Sequence, residues 1–125
     1  MSGEAVTFTI CGRLPGLNEY TEANRAHRQR GATLKRRTEN RIMLFAQAAR
    51  LPVLDGPVFV SFAWHEPNRR RDADNVAFAK KFILDALVRC GILADDGRKH
   101  VIGFADSFAV DPADPRVVVT LERRP

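Results

Sequence analysis

A strand followed directly by an amphipathic helix constrains this chain more than any other feature. Residues 58–64 alternate, with Val58, Val60 and Phe62 on one side and smaller or polar residues between them, which predicts a half-buried β-strand. From residue 76 onward, apolar side chains recur at helical spacing. They fall on one side of a helix that Gly91 is suited to end: Val76, Ala79, Ile83, Ala86 and Leu87.

The remaining segments complete an α+β pattern. Residues 5–11, 99–110 and 116–122 have the composition of strands, and residues 17–50 are largely helical, with an interruption predicted near Gly31. The last two strands are separated by a turn at 111–115, so we expect them to form an antiparallel pair. The order β-α-β-α-β-β predicts one domain, residues 1–125, folded as a two-layer sandwich with a mixed sheet and helices on one face.

Charged residues are concentrated around the predicted helix. The segment Arg69-Arg70-Arg71-Asp72-Ala73-Asp74-Asn75 precedes it, and Asp74 or Asn75 is suited to cap its first turn. Asp74, Lys81 and Asp85 fall within roughly 20° of a common line opposite the apolar face. The short apolar run after Gly91 is expected to return Asp95 and Asp96 towards the same side.

This combination of acids and a lysine suits chemistry on phosphate. Carboxylates that lie close together resist ionising unless a cation neutralises them, and Mg²⁺ or Mn²⁺ binds such hard oxygen ligands. A bound ion could polarise a phosphoryl oxygen and help to produce hydroxide, while Lys81 offsets negative charge on the phosphate. Each acid taken alone could instead be a helix cap, part of a turn or part of a solvated face.

The basic residues favour a polyanionic partner. The net charge is +5, and residues 19–50 contain eight basic and three acidic side chains, so this segment carries a charge equal to that of the whole chain. Basic side chains at this density displace counterions from a phosphate backbone. We expect nucleic acid to contact the basic residues of this segment and of the arginine run: Arg28, Arg30, Lys35, Arg36, Arg37, Arg69, Arg70 and Arg71.

Composition excludes several other classes of protein. The chain has no long apolar run and no signal-peptide pattern, so we expect a cytoplasmic protein without a membrane span. Cys11 and Cys90 lie far apart in apolar stretches, which favours buried free thiols over a disulfide. The three histidines are scattered, so a zinc site is not expected.

The central motif resembles that of the RusA family of Holliday-junction resolvases. The similarity covers residues 69–97: Arg-Arg-Arg-Asp-x-Asp-Asn, then Lys-x-x-x-Asp-Ala-Leu, a glycine and an Asp-Asp pair. The resemblance implies magnesium-dependent cleavage of four-way DNA junctions by a homodimer, with Mn²⁺ as an alternative ion. It assigns catalysis to Asp72, Asp74, Lys81 and Asp96, and the metal to Asp72, Asp74 and Asp96 with Asp95 adjacent.

One spacing differs from the family pattern. Three more residues lie between Asn75 and the lysine, and counting back from Asp85 identifies Lys81 as the matching residue. On a helix the longer spacing leaves the lysine on the same face as Asp74, about one turn further along. Lys80 remains the second candidate for this role.

The main functional hypothesis is a magnesium-dependent, structure-selective endodeoxyribonuclease. The residues by themselves support a metal-assisted phosphodiesterase with a basic surface, whereas junction selectivity and the homodimer come from the resemblance. The alternative is a non-catalytic nucleic-acid-binding protein with the same fold. A nucleotide-sugar transferase with an Asp-x-Asp motif would explain the acids but not the arginine-rich segment.

Overall fold

The structure, a computed structural model, describes residues 4–124. Four strands and four helices follow one another along the chain: β1 (Ala5–Cys11), α1 (Leu17–Ala26), α2 (Arg28–Ala48), β2 (Val58–Glu66), α3 (Ala73–Ala77), α4 (Lys80–Arg89), β3 (Val101–Val110) and β4 (Arg116–Arg123). No helix within the described range combines the length and apolar character needed to cross a bilayer.

The strands form one mixed sheet in the order β1-β4-β2-β3. β4 pairs antiparallel with both β1 and β2, and β2 pairs parallel with β3. The predicted α+β class with a two-layer, mixed-sheet architecture is therefore confirmed. The predicted antiparallel pair of the last two strands is wrong. Helices α3 and α4 carry the chain from β2 back to a parallel β3, and β4 then inserts between β1 and β2.

The core lies between the sheet and the helices. Alternate residues of β2 and β4 are buried on one face, including Phe62, Trp64 and Val119. Ile42 of α2 and Ile83 of α4 close the core from the other layer. The expectation of a buried thiol is wrong for Cys11, which is exposed, although both cysteines are free.

The predicted central helix is divided into two pieces. It begins at Ala73, with Asp72 rather than Asp74 or Asn75 at the N-cap, and α3 ends at Ala77. At the junction the Ala79 N–H donates to the Val76 carbonyl and the Lys81 N–H to the Phe78 carbonyl, which is the i→i+3 spacing of a 3₁₀ turn. Two residues at the 3₁₀ repeat rotate α3 by about 40° relative to a continuous α-helix.

The other helical region is also divided, but not near Gly31. The break lies at His27, whose extended backbone (φ −165°) separates α1 from α2 and whose Nδ1 accepts the Gln29 N–H. Gly31 is instead buried where the two helices meet, so close to Asn24 that a side chain at this position would clash with it.

Candidate metal centre and nucleic-acid interface

Four charged side chains meet beside α4, and we call them the α4 charge cluster: Lys35, Lys81, Asp85 and Asp96. The Lys81 Nζ lies 3.1 Å from Asp85 Oδ1 and 3.5 Å from Asp96 Oδ2. From α2, the Lys35 Nζ approaches Asp85 Oδ2 to 3.4 Å. The i,i+4 spacing on α4 forms the first pair, and the turn after α4 delivers Asp96 to it. Two carboxylates therefore share two ammonium groups.

These contacts shift two pKa values in opposite directions. A hydrogen bond with Asp85 lowers the pKa of Asp96, and the charge of Lys81 lowers it further, against the opposing effect of burial. A hydrogen bond to Asp85 also raises the pKa of Lys81, again against burial. At neutral pH, Asp96 is ionised and Lys81 carries its proton.

Replacing Lys81 by methionine is expected to raise the pKa of Asp96. The ionised form of Asp96 stabilises the fold above its unfolded-state pKa of about 4, and this contribution is lost as the pH falls through the lower folded-state pKa. Protonated Lys81 contributes below about pH 10.4 and loses its effect as the pH rises through its raised pKa. We therefore expect Lys81→Met to reduce the free energy of unfolding between these limits, and the difference from wild type to shrink in acid.

Carboxyl-detected NMR titration measures the pKa of Asp96 directly. Lys80→Met is the matched control, because Lys80 contacts Asp106 rather than Asp96. An unchanged Asp96 midpoint in Lys81→Met would show that the ammonium does not act on this carboxylate.

The other predicted ligands do not join the cluster. Asp72, Asp74 and Asp95 are exposed, and Asp74 Oδ1 accepts the N–H of its neighbour Asn75 at 2.9 Å. Within residues 4–124, no three His, Cys, Asp or Glu side chains lie close enough together to hold a metal ion. The tightened turn between α3 and α4 shifts Asp74 by about 40° from the line on which a continuous helix would place it with Lys81 and Asp85. Asp96 is meanwhile bound to Lys81.

The donor set nevertheless has the chemistry of a hard-cation site. The acids are all carboxylates, and Asp72 and Asp74 form no ion pair within the described part of the chain. Lys81 already occupies the position of a cation against two carboxylates, Asp85 and Asp96. The ligand type therefore fits Mg²⁺ or Mn²⁺. In the described part of the chain, however, only two of these carboxylates, Asp85 and Asp96, meet at one point.

Asn75 anchors the Asp-x-Asp-Asn motif to the start of α1. Its side chain is buried (8% exposed), and its Oδ1 accepts the N–H of Asn18 at 2.9 Å. Gly16 lies against it so closely that a Cβ there would be 2.5 Å from Asn75 Oδ1. The sequence predicted only a capping role for Asn75, because the bonding partner lies 57 residues away along the chain.

Lys81, rather than Lys80, is the lysine beside Asp96. The Lys80 Nζ donates to Asp106 Oδ2 at 2.7 Å and lies over the Phe104 ring, 4.7 Å from its centroid. The Trp64 indole donates to the other oxygen of Asp106 at 2.8 Å. Lys80 and Asp106 thus belong to a separate contact at the sheet.

Arg71 differs from its neighbours Arg69 and Arg70. Its guanidinium binds both carboxylate oxygens of Glu66 at 2.8 and 2.9 Å, and it also donates to Glu19 and to the Leu14 carbonyl. The Arg71 and Glu66 side chains are each only 11% exposed. The donors of Arg71 are therefore used within the fold, whereas Arg69 and Arg70 are exposed and available to a phosphate.

The basic residues of α2 divide in the same way. Lys35 is used internally by Asp85 and Glu39, whereas the four predicted arginines of α2 are exposed and form no ion pair within residues 4–124: Arg28, Arg30, Arg36 and Arg37. Arg30 and Arg37 line an open groove of about 850 Å³ between α1 and α2, together with His27 and Gln29. This groove presents several hydrogen-bond donors on one surface.

Tyr20 does not present its ring for stacking on a base. It packs against Phe78 and Phe82, with ring centroids 5.8 and 5.5 Å apart, and forms part of the core margin. Its ring therefore contributes to core packing.

No protein-family model and no curated protein sequence matches this chain. The resemblance to the RusA family therefore depends on the motif residues 69–97 alone.

Proposed function

We propose that the protein is a magnesium-dependent, structure-selective endodeoxyribonuclease that resolves four-way junctions as a cytoplasmic homodimer. The observation that carries the proposal is the contact between Lys35 of α2 and Asp85 of α4, at 3.4 Å. It joins a helix with four exposed arginines to a cluster of carboxylates and lysines. A phosphate backbone bound along α2 would thus lie next to acids that suit a divalent ion.

The proposed ion is Mg²⁺, with Mn²⁺ as an alternative, held by Asp72, Asp74 and Asp96 with Asp95 adjacent. When bound, it would polarise the phosphoryl oxygen and lower the pKa of an attacking water. Asp96 supplies an ionised carboxylate at neutral pH because its pKa is lowered. Lys81 supplies a protonated ammonium that can offset negative charge on the scissile phosphate. Asn75 holds Asp74 in place through its bond to α1.

Neutralising Arg30 and Arg37 should make DNA binding less dependent on salt. Each side chain that contacts a phosphate releases about one counterion, so Arg30→Gln with Arg37→Gln should reduce the slope of log K against log salt by about 2. Fluorescence anisotropy over a salt series measures this slope. The control is Arg124→Gln, because Arg124 bonds to Glu122 and lies over the Phe59 ring, away from the groove. Equal slopes in wild type and the double variant would remove the groove from the DNA interface.

The proposed activity is tested by cleavage of a synthetic four-way junction and a matched linear duplex. Each substrate is incubated with Mg²⁺, with Mn²⁺ and with chelator. We expect symmetric nicks in the junction with either ion, little cleavage of the duplex and none with chelator. Metal-dependent cleavage of both substrates at similar rates would retain the nuclease but reject junction selectivity.

A non-catalytic nucleic-acid-binding protein is the second candidate. It is favoured by the separation of Asp72 and Asp74 from the α4 charge cluster, within which Lys81 already neutralises the carboxylates. This candidate predicts tight junction binding without cleavage under every metal condition.

A further inference from the structure

The two edges of the sheet are covered very differently. On the β1 edge, the inward-facing residues Phe8 and Ile10 are 3% and 0% exposed, because α2 packs over them. On the β3 edge, Phe104, Phe108 and Val110 lie on the same face of the sheet but are 46%, 46% and 44% exposed. The helical layer thus covers three strands and leaves the inner face of β3 open.

β3 also lacks the features that usually prevent edge strands from pairing. Its ten residues contain no proline and no lysine, and the sole charged residue is Asp106. That charge is paired with the Lys80 ammonium, and the Trp64 indole donates a hydrogen bond to the same carboxylate. The bulge in the β2–β3 pairing lies at the first residues of β3, so residues 103–110 form a regular edge. Among the strands of residues 4–124, β3 pairs only with β2, which leaves one row of its backbone groups without a strand partner there.

We propose that β3 is the dimer interface of this protein, where it pairs antiparallel with β3 of a second copy about a two-fold axis at Asp106. The result is one continuous eight-stranded sheet. The proposed partner is a second copy, rather than a strand of another protein, because the proposed nuclease makes paired nicks and these need two active sites. The interface therefore rests on the proposed function.

The sequence of β3 is self-complementary only about this centre. A two-fold axis perpendicular to the sheet keeps residues of the same parity on the same face, so Phe104 lies opposite the partner's Phe108, and the reverse. An axis at Ala105 or Ser107 would place a phenylalanine opposite Asp106 instead. At the proposed axis the two Asp106 carboxylates face each other, and each is already bonded to its own Lys80 at 2.7 Å. Each Asp106 carboxylate on the axis is therefore balanced by the ammonium group of its own Lys80.

The small size of this edge limits the proposed dimer to a modest affinity. Ten residues of strand are roughly 33 Å long, and a sheet with its side chains is about 10 Å thick, so the edge buries roughly 300–400 Å² per copy. Interfaces of this size lie below the standard value of about 800 Å² per partner and belong to weaker complexes. We expect dissociation at micromolar concentrations.

The proposed pairing also suits a two-site enzyme. A two-fold axis perpendicular to the sheet leaves the helical layers of both copies on the same side. The two α4 charge clusters and the two α2 helices would then face one DNA molecule together.

A charge-swap experiment tests both the surface and the register. Phe108→Lys and Phe104→Glu each place a charge against an apolar partner residue and should abolish the dimer. The double variant places each introduced lysine opposite the partner's introduced glutamate and should restore it. Sedimentation velocity over a micromolar concentration series, without DNA, gives the oligomeric state. Circular dichroism establishes that each variant is folded, and both positions are already half exposed.

Three outcomes would overturn the inference: a wild-type protein that stays monomeric throughout the series, single variants that still dimerise, or a double variant that stays monomeric. If the wild-type protein is monomeric, the open edge of β3 would instead be available to pair with an extended strand of another protein. Because no DNA or metal is used, the result is separate from that of the cleavage assay. A dimer without cleavage would retain the interface and reject the nuclease.

Discussion

Asp74→Asn should reduce the rate of junction cleavage by on the order of 10³-fold while leaving junction binding intact or stronger. The substitution keeps the size of the side chain and its oxygen, so the bond that Asp74 Oδ1 accepts from the Asn75 N–H can persist. It removes one negative charge that would hold the divalent ion and that repels the phosphate backbone. Single-turnover cleavage and anisotropy titrations measure the two effects separately.

Asp55→Asn is the matched control for this prediction. Asp55 is exposed in the turn before β2, and within the described part of the chain its side chain forms no hydrogen bond or ion pair, whereas its backbone carbonyl accepts from Arg123. The control should cleave at the wild-type rate. Loss of binding in parallel with loss of cleavage in Asp74→Asn would count against a role in metal binding.

Arg71→Ala should destabilise the fold by about 3 kcal/mol, because it leaves Glu66 buried without its partner. The guanidinium makes three contacts to the Glu66 carboxylate and bridges to Glu19 and Leu14, so one residue ties β2 to the start of α1. For a domain of this size, the loss corresponds to a decrease in Tm on the order of 10 °C. Urea denaturation measures the free energy of unfolding.

Arg70→Ala is the adjacent control and should change stability by less than about 0.5 kcal/mol, since Arg70 is exposed. Adding Glu66→Gln to Arg71→Ala should recover part of the loss, because the unpaired charge is then removed. Similar stabilities for the Arg70 and Arg71 variants would show that the ion pair is not a structural contact.

Local patterns predicted the class of fold but not the neighbours in the sheet. The alternation of residues 58–64 and the helical spacing after residue 76 identified β2 and the region of α3 and α4. Strand order depends on which strands meet after the chain has crossed the sheet, and short-range periodicity carries no such information. The turn at 111–115 looked like a hairpin turn, yet it moves the chain from the edge strand β3 past β2 to β4.

The candidate site was predictable in composition and less so in geometry. The i,i+4 pair of Lys81 and Asp85 follows from helix geometry, and the return of Asp96 to it agrees with the expectation for residues 92–96. The 3₁₀ turn at Phe78 and Ala79 had no sequence signal, and it shifts Asp74 by about 40° around the helix relative to that pair. The ion pair of Arg71 with Glu66 was also not predictable, because burial, rather than residue type, distinguishes Arg71 from Arg70.

The proposed metal site can be tested most directly by paramagnetic broadening with Mn²⁺. If Asp72, Asp74 and Asp96 hold one ion, the amide signals of residues 72–75 and 95–97 should broaden together at the same low Mn²⁺ concentration. Asp74→Asn should weaken the effect in both segments, whereas Asp55→Asn should not. Broadening of only one segment, or equal broadening of exposed acids throughout the protein, would contradict a shared metal site and would leave nucleic-acid binding without catalysis as the better account.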